Sequence, residues 1–206
     1  PLTAKQMVEL PEEFVMDRII ESGKVAQELG AKIVGLGAFT SIVGDAGITV
    51  AKNLDIAVTS GNSYTVATAI QGTKQAARMM GKDLKECRAV VVGATGSIGA
   101  ASVRLLAKEV KHITLVARHM GPLEELAQEL IEQNHCEVAV SQDIRTSLQE
   151  ADIVITVTSA LDFLIEPGDL KPGAVVCDVA RPRNVSRDVS LKRNDVLVIE
   201  GGVINV

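Results

Sequence analysis

The sequence has very few aromatic residues: no tryptophan, one tyrosine and three phenylalanines among 206 residues. A core without large rings must be filled by Val, Ile, Leu and Ala, which suits parallel strands covered by helices. Cysteine is equally scarce, and Cys87, Cys136 and Cys177 show no C-x-x-C spacing. Because an odd number of thiols cannot close entirely into internal disulfides, we expect reduced cysteines and a cytoplasmic protein.

Long apolar runs and blocks of one charge are also missing. No run approaches the roughly 18 apolar residues that a membrane-spanning helix needs, and the first residues lack the apolar core of a secretory signal. Lys and Arg total 21 against 26 Asp and Glu, with neither sign clustered in a block, which argues against a nucleic-acid partner. The histidines, His112, His119 and His135, have no metal-ligand spacing, so we predict no metal site.

What is present is a regular alternation of strand and helix patterns. In the first part the sequence predicts a helix at 10–29, strands at 31–37 and 55–59 around a glycine- and hydroxyl-rich loop at 38–47, and a long helix, capped by Asn62 or Ser63, that ends near 81. Later it predicts six strands at 89–92, 113–117, 137–140, 152–157, 174–177 and 196–199, with helices at 98–110, 123–133 and 146–150 between them. Short buried strands separated by helices are typical of a doubly wound parallel sheet.

A glycine-rich turn carries the most specific chemistry. Gly93, Gly96 and Gly99 lie between a predicted strand and a predicted helix, where they would permit a tight turn, close approach of a pyrophosphate and close helix packing. A helix N-terminus there would also attract phosphate. The alternative is a tight turn without a ligand. We predict dinucleotide binding by the whole turn: Gly93, Ala94, Thr95, Gly96, Ser97, Ile98 and Gly99.

The choice of cofactor is predicted by the end of the second strand of this βαβ unit. NAD-binding proteins place a carboxylate there, whereas this chain has Arg118, whose guanidinium can pair with the 2′-phosphate of NADPH. An exposed arginine without a ligand is the alternative. Thr158 and Ser159 follow the fourth strand, where they either contact the cofactor or only cap the next turn. The predicted fold class is therefore α/β, a Rossmann-type doubly wound sheet (86–206) after a smaller N-terminal α/β substrate segment (1–85).

Particular segments extend this interpretation to a family. The chain resembles the NADPH-dependent long-chain acyl-(acyl-carrier-protein) reductases of cyanobacteria and their bacterial relatives. The resemblance spans nearly the whole chain and rests on the segments at 35–42, 59–65 and 92–99, on Asp178, Pro182 and Asn184, and on Gly201–Val203. It implies reduction of fatty acyl thioesters to aldehydes. It also implies a substrate cleft lined by Phe39, Thr40, Ser41, Gly61, Asn62 and Thr65, for which helix capping and core packing are the alternatives.

The nucleophile departs from the family pattern. The cysteine that the resemblance implies would follow the strand at the C-terminal end of this chain, so we expect the chain to be a fragment and leave the catalytic residues unknown. Cys177 is the best internal candidate, although a neighbouring Asp178 would raise rather than lower a thiol pKa, and a structural thiol is the preferred interpretation.

Other functions and partners remain open from the sequence. A shikimate dehydrogenase-like or glutamyl-tRNA reductase-like enzyme has a similar layout, and a dinucleotide-binding module without catalysis fits the missing nucleophile. The substrate would be a small molecule or an acyl group on a carrier. A loose basic cluster could dock an acidic carrier protein, and homo-oligomerisation is left open. The cluster comprises Arg181, Arg183, Arg187, Lys192 and Arg193.

Overall fold

The computed structural model describes residues 2–133, 136–160 and 164–201. Within these ranges the chain forms two compact units, which divide between Asn62 and Ser63. His135, Gly202 and Val203, which the sequence analysis also used, lie outside the described residues. The boundary predicted between residues 85 and 86, which would separate a substrate-binding segment from a cofactor-binding domain, stays a prediction.

The first unit is a small α/β assembly. Its elements are α1 (Ala4–Glu9), α2 (Glu12–Glu28), β1 (Ile33–Gly35), a 3₁₀ turn (Ala38–Ser41), α3 (Ile48–Lys52) and β2 (Ala57–Thr59), with β1 and β2 paired in parallel. The helix predicted at 10–29 corresponds to α2, and the structure adds the short helix α1 before it, which the sequence analysis did not predict. Pro11, which has no amide hydrogen to donate, separates them, and Thr3 begins α1 with a capping box completed by Gln6. Val15, Ile19 and Val50 form the centre of this unit's core.

The second unit confirms the predicted Rossmann-type sheet. Its helices are α4 (Asn62–Met79), which begins at the unit boundary, α5 (Ser97–Leu106), α6 (Met120–Gln133), α7 (Ile144–Leu148) and α8 (Arg187–Lys192). Its strands are β3 (Arg88–Val92), β4 (His112–Val116), β5 (Glu137–Ser141), β6 (Ile153–Thr156), β7 (Val175–Asp178) and β8 (Leu197–Glu200). All neighbours are parallel, in the order β5-β4-β3-β6-β7-β8.

Alternate residues of the strands enter two separate cores, one on each face of this sheet. Val91 and Leu115 pack in the core that contains residues of α4, α5 and α6, whereas Val90 and Val154 pack in the core that contains Leu148 of α7. Both faces are therefore buried, which explains why the strands are continuous runs of Val, Ile and Leu without polar alternation. The long helix α4 contributes Val66, Ala69 and Ile70 to the first core.

The strand order reverses at β3, which lies between β4 and β6. Ligands of open parallel sheets bind outside the carboxyl ends of the strands at such a switch point. The loops after β3, β4 and β6 therefore define where a ligand of this unit should bind.

Candidate functional site

The turn after β3 is built around two glycines that cannot carry side chains. Gly93 has a φ of +86°, in the left-handed region, and a Cβ there would lie 3.1 Å from the carbonyl carbon and oxygen of Val157. At Gly99 an added Cβ would lie 2.1 Å from the carbonyl oxygen of Gly93. Helix α5 can approach the end of β3 only because this methyl group is missing. The turn therefore has the cradle geometry that the glycine spacing predicts.

Gly96 is different because the fold does not require glycine at this position. Its φ is −71°, which any residue adopts, and an added Cβ would meet its nearest heavy atom, the Gly93 carbonyl oxygen, at 3.4 Å. Gly96 is exposed and lies in the cleft, immediately before α5. A methyl group there would project from the place where a bound pyrophosphate would approach the backbone. Packing within the protein does not explain why this residue is glycine, whereas a bound ligand would.

Several amides of the turn already have acceptors inside the protein. Gly93 and Ala94 donate to the Val116 carbonyl at 2.8 and 3.1 Å, and Gly96 donates to the Gly93 carbonyl at 3.1 Å. These bonds fix the turn to β4, so its rigidity does not depend on a ligand. A phosphate would approach the start of α5, because helix N-termini favour negative charge.

A cleft of about 370 Å³ opens at the switch point. Its lining includes six of the predicted cofactor residues: Gly93, Thr95, Gly96, Arg118, Thr158 and Ser159. The other four, Ala94, Ser97, Ile98 and Gly99, are not part of the lining. Ala94 and Gly99 are buried under the turn, and Ile98 packs against the core, so their contribution is to its shape.

One side of the cleft lies beyond β4 and β5. Arg118 and His119 are both exposed there, and Gln142 donates from its Nε2 to the Arg118 carbonyl at 2.5 Å. No carboxylate lines the cleft in the described part of the chain. This side of the cleft therefore suits an anionic group. His119 and Gln142 also line the cleft, although the sequence analysis did not assign them to the site. Only the tertiary fold brings Gln142, which follows β5, beside the end of β4.

The opposite side follows β6 and is held by a buried polar network. Thr158 donates its hydroxyl to Asn184 Oδ1 at 2.8 Å and accepts from the Ala160 amide at 3.2 Å. Its hydroxyl thus both caps the following turn and lies in the cleft wall. The Asp178 carboxylate supports the network by accepting the amides of Ala180, Asn184 and Val185 at 3.0 to 3.1 Å. Burial raises the pKa of Asp178, and these backbone hydrogen bonds oppose the increase.

Among the predicted substrate residues, the hydroxyls of the 3₁₀ turn are used locally. Thr40 Oγ1 donates to the Gly37 carbonyl and Ser41 Oγ donates to the Ala38 carbonyl, each at 2.8 Å. Thr40 also lines a mainly apolar cavity of about 540 Å³ within the first unit, whereas Phe39 and Ser41 are not among the lining residues. Both hydroxyl protons are thus donated within the 3₁₀ turn itself.

The remaining predicted substrate residues lie at the start of α4. Gly61 has a φ of +73° and immediately precedes the helix, which begins at Asn62, so Asn62 and Ser63 belong to its first turn. Thr65 follows within that turn and is half-buried. The assignment of all six residues to a substrate site stays a prediction.

None of the cysteines has an activated thiol. Burial raises the pKa of Cys177 to about 11, with Asp178 adding to the increase and a hydrogen bond involving Thr73 opposing it. Burial also raises the pKa values of Cys87 and Cys136. In the described ranges no group of three or more His, Cys, Asp or Glu side chains could hold a metal ion. No described helix is long and apolar enough to cross a membrane.

The basic cluster near the C-terminal end is largely neutralised within the chain. Arg181 and Arg183 both pair with Glu200, Lys192 pairs with Asp188 at 2.5 Å, and Arg193 pairs with Asp195 at 2.8 Å. These partners remove most of the positive field that would attract an acidic carrier. Carrier docking at this cluster stays a prediction with little electrostatic support.

Comparison with known proteins extends the description of the fold. The family model for shikimate / quinate 5-dehydrogenase matches residues 74–200. The chain is 33% identical over 206 residues to aminotransferase PigE of a Serratia species, covering 99% of this chain and 24% of that protein. It is 29% identical over 204 residues to the long-chain acyl-[acyl-carrier-protein] reductase of Synechococcus elongatus, covering 91% of this chain and 55% of the reductase.

A solved structure supports the same architecture. Glutamyl-tRNA reductase from Methanopyrus kandleri matches with a TM-score of 0.53 and 20% identity, over 91% of this chain and 47% of that chain. The chain thus spans about a quarter of PigE (24%) and about half of the acyl reductase (55%). The family match and the parallel sheet identify an NAD(P)-binding dehydrogenase or reductase fold.

Proposed function

This chain belongs to the shikimate / quinate 5-dehydrogenase family, and from that premise we propose that it is the cofactor-binding part of an NADPH-dependent reductase of fatty acyl thioesters. The observation that carries the cofactor choice is the exposed Arg118 in the cleft wall beyond β4, with no carboxylate among the described lining residues. A guanidinium can hold a 2′-phosphate through two parallel hydrogen bonds, whereas a carboxylate would repel it.

The residues present fit a dinucleotide across the switch point. The side of the cleft beyond β4 would take the adenosine half, the turn at Gly96 and the start of α5 would take the pyrophosphate, and Thr158 would border the nicotinamide half. When bound, the cofactor supplies a hydride. The chain's own contribution is to bind and orient it, since Gly96, Arg118 and Thr158 line the cleft from one side to the other.

The acyl thioester substrate rests on the similarity to the Synechococcus reductase and on the segments shared with its family. The apolar cavity that Thr40 lines in the first unit is compatible with an acyl chain. The family match itself favours a second candidate, oxidation or reduction of a small hydroxy or keto acid of the shikimate and quinate type. A regulatory module that binds the dinucleotide without turnover is the third.

Calorimetric titration of NADPH and NADH into this chain tests the cofactor assignment. Arg118→Ala should weaken NADPH binding by about 1.5 to 3 kcal/mol and leave NADH within twofold, because NADH lacks the charged group that Arg118 would pair with. Arg78→Ala removes a matched exposed arginine from α4, outside the cleft, and should change neither affinity. If Arg118→Ala weakens both nucleotides equally, the 2′-phosphate assignment is wrong.

NADPH oxidation by the full-length protein then separates the substrate classes. Turnover with a long-chain acyl thioester supports the proposal, whereas turnover only with 3-dehydroshikimate supports the second candidate. Tight NADPH binding without turnover of either substrate supports the regulatory module.

A further inference from the structure

Asn184 occupies a central place in the polar network behind the cleft. Its side chain is fully buried, and its Oδ1 faces three donors: the Thr156 hydroxyl at 2.8 Å, the Thr158 hydroxyl at 2.8 Å and the Thr158 amide at 3.3 Å. A backbone amide can only donate, so the oxygen rather than the nitrogen of the side chain must face Thr158. The orientation of the carboxamide is therefore fixed by chemistry.

The backbone of Asn184 acts on the same loop. Its carbonyl accepts the amides of Leu164 and Ile165 at 2.8 and 3.1 Å, while its own amide donates to the Asp178 carboxylate at 3.0 Å. Thr158 and Leu164 both line the cleft. One residue thus holds two points of the cleft wall, Thr158 through its side chain and Leu164 through its backbone, and is itself anchored to the end of β7.

The choice of asparagine is informative because it leaves a polar atom unsatisfied. Asn184 Nδ2 is buried without a hydrogen-bond partner in the described structure, which ordinarily destabilises a fold. An aspartate would offer acceptors without the extra donor, but it would bury a second carboxylate next to Asp178, whose carboxylate already bonds the Asn184 amide. An apolar side chain would leave the three donors around Oδ1 without their acceptor, so the asparagine oxygen is what fixes the position of the Thr158 turn.

We infer that Asn184 is a positioning residue that holds Thr158 and Leu164 in place for the nicotinamide half of the bound dinucleotide. The inference rests on the proposed function, because it requires a dinucleotide in the cleft. Asn184 touches no ligand itself. It acts by fixing the side of the cleft beyond β6, which lies opposite the side that Arg118 lines.

The assignment is tested with two probes, NADPH and adenosine 2′,5′-bisphosphate, which lacks the nicotinamide half. Asn184→Ala and Thr158→Val should each weaken NADPH binding by about three- to tenfold and leave the bisphosphate within twofold, because the hydrogen bond from the Thr158 hydroxyl to Asn184 Oδ1 is the one that both changes remove. Because both losses pass through one contact, the double variant should bind no more weakly than the weaker single variant.

Thr73→Val is the matched control for removing a buried threonine hydroxyl. Thr73 donates to the Ala69 carbonyl within α4 and does not line the cleft, so both affinities should stay unchanged. If Asn184→Ala does not fold, Thr158→Val still decides the matter, since Thr158 lies at the cleft surface and the change removes the hydrogen bond to Asn184 Oδ1 from the other partner. Equal weakening of both probes, or no weakening of either, overturns the positioning role. If the wild type binds neither probe, the proposed function fails and this inference fails with it.

Discussion

Gly96→Ala separates a glycine needed for binding from a glycine needed for folding. Because the backbone of Gly96 is already in a region open to alanine, and the new methyl group would lie 3.4 Å from its nearest neighbour, the fold should tolerate the change. Replacing glycine by alanine at a compatible position stabilises a protein by about 0.4 to 1 kcal/mol through the unfolded state. A slight contact with the Gly93 carbonyl would offset part of this gain.

Binding should respond in the opposite direction. The methyl group would stand on the cleft surface at the start of α5, where the phosphates must come into contact with the backbone. We expect NADPH affinity to fall at least tenfold, about 1.4 kcal/mol, while the thermal midpoint stays within about 3 °C of the wild type. Calorimetry and thermal unfolding of the same sample measure the two quantities.

A matched control is available elsewhere in the second unit. Gly168 is exposed, and an added Cβ there meets no heavy atom within 4 Å, so Gly168→Ala should change neither stability nor binding appreciably. If Gly96→Ala binds NADPH as well as the wild type does, no pyrophosphate lies against this turn. The dinucleotide site would then have to be abandoned, whatever the resemblance of the fold.

Three further predictions concern stability and reactivity. Gly99→Ala should destabilise the protein by about 1 to 3 kcal/mol in urea unfolding, because its Cβ would lie 2.1 Å from the Gly93 carbonyl oxygen. Cys177, with a pKa of about 11, should resist iodoacetamide at pH 8 in the native protein and react after unfolding. Mass spectrometry measures the labelling, and modification of Cys177 in the native protein would contradict its burial. Asp152→Asn should cost about 1 to 3 kcal/mol at pH 7. Burial raises the pKa of Asp152, but hydrogen bonds from the Arg88 amide and two lysines outweigh this effect and lower the pKa overall. The difference in unfolding free energy between Asp152→Asn and the wild type should therefore shrink as the pH falls below about 4. A difference that stays constant down to pH 3 would show that these hydrogen bonds to the charged carboxylate are not its cause.

Ligand binding in the two halves of the cleft should depend on different residues. Arg118 should govern discrimination between NADPH and NADH, while Asn184 and Thr158 should affect only ligands that carry the nicotinamide. Because the bisphosphate probe contains the 2′-phosphate and lacks the nicotinamide, it should respond to Arg118→Ala and not to Asn184→Ala. This opposite pattern is specific to a dinucleotide that crosses the switch point at β3.

Local pattern was sufficient to predict much of the second unit. The runs of Val and Ile at 89–92 and 152–157 predict buried parallel strands because both faces of this sheet are covered. The spacing of Gly93, Gly96 and Gly99 predicts the turn because these positions control backbone geometry within a few residues. The sequence analysis predicts α2 within two residues at its start but does not predict the short helix α1 before Pro11, because six residues are too few to show a helical period.

The parts of the site that the sequence did not reveal are contacts between distant residues. Gln142 reaches the Arg118 carbonyl across 24 positions, and Asn184 meets Thr158 across 26. Neither residue belongs to a local motif with a fixed spacing, so no periodicity predicts its partner. The sequence by itself determined the sheet, the turn and the charge at the end of β4, because these follow from local backbone geometry and hydrophobic patterning. Only the tertiary structure decided which buried polar groups support the cleft, because hydrogen bonds between separate loops depend on the packing of the whole sheet.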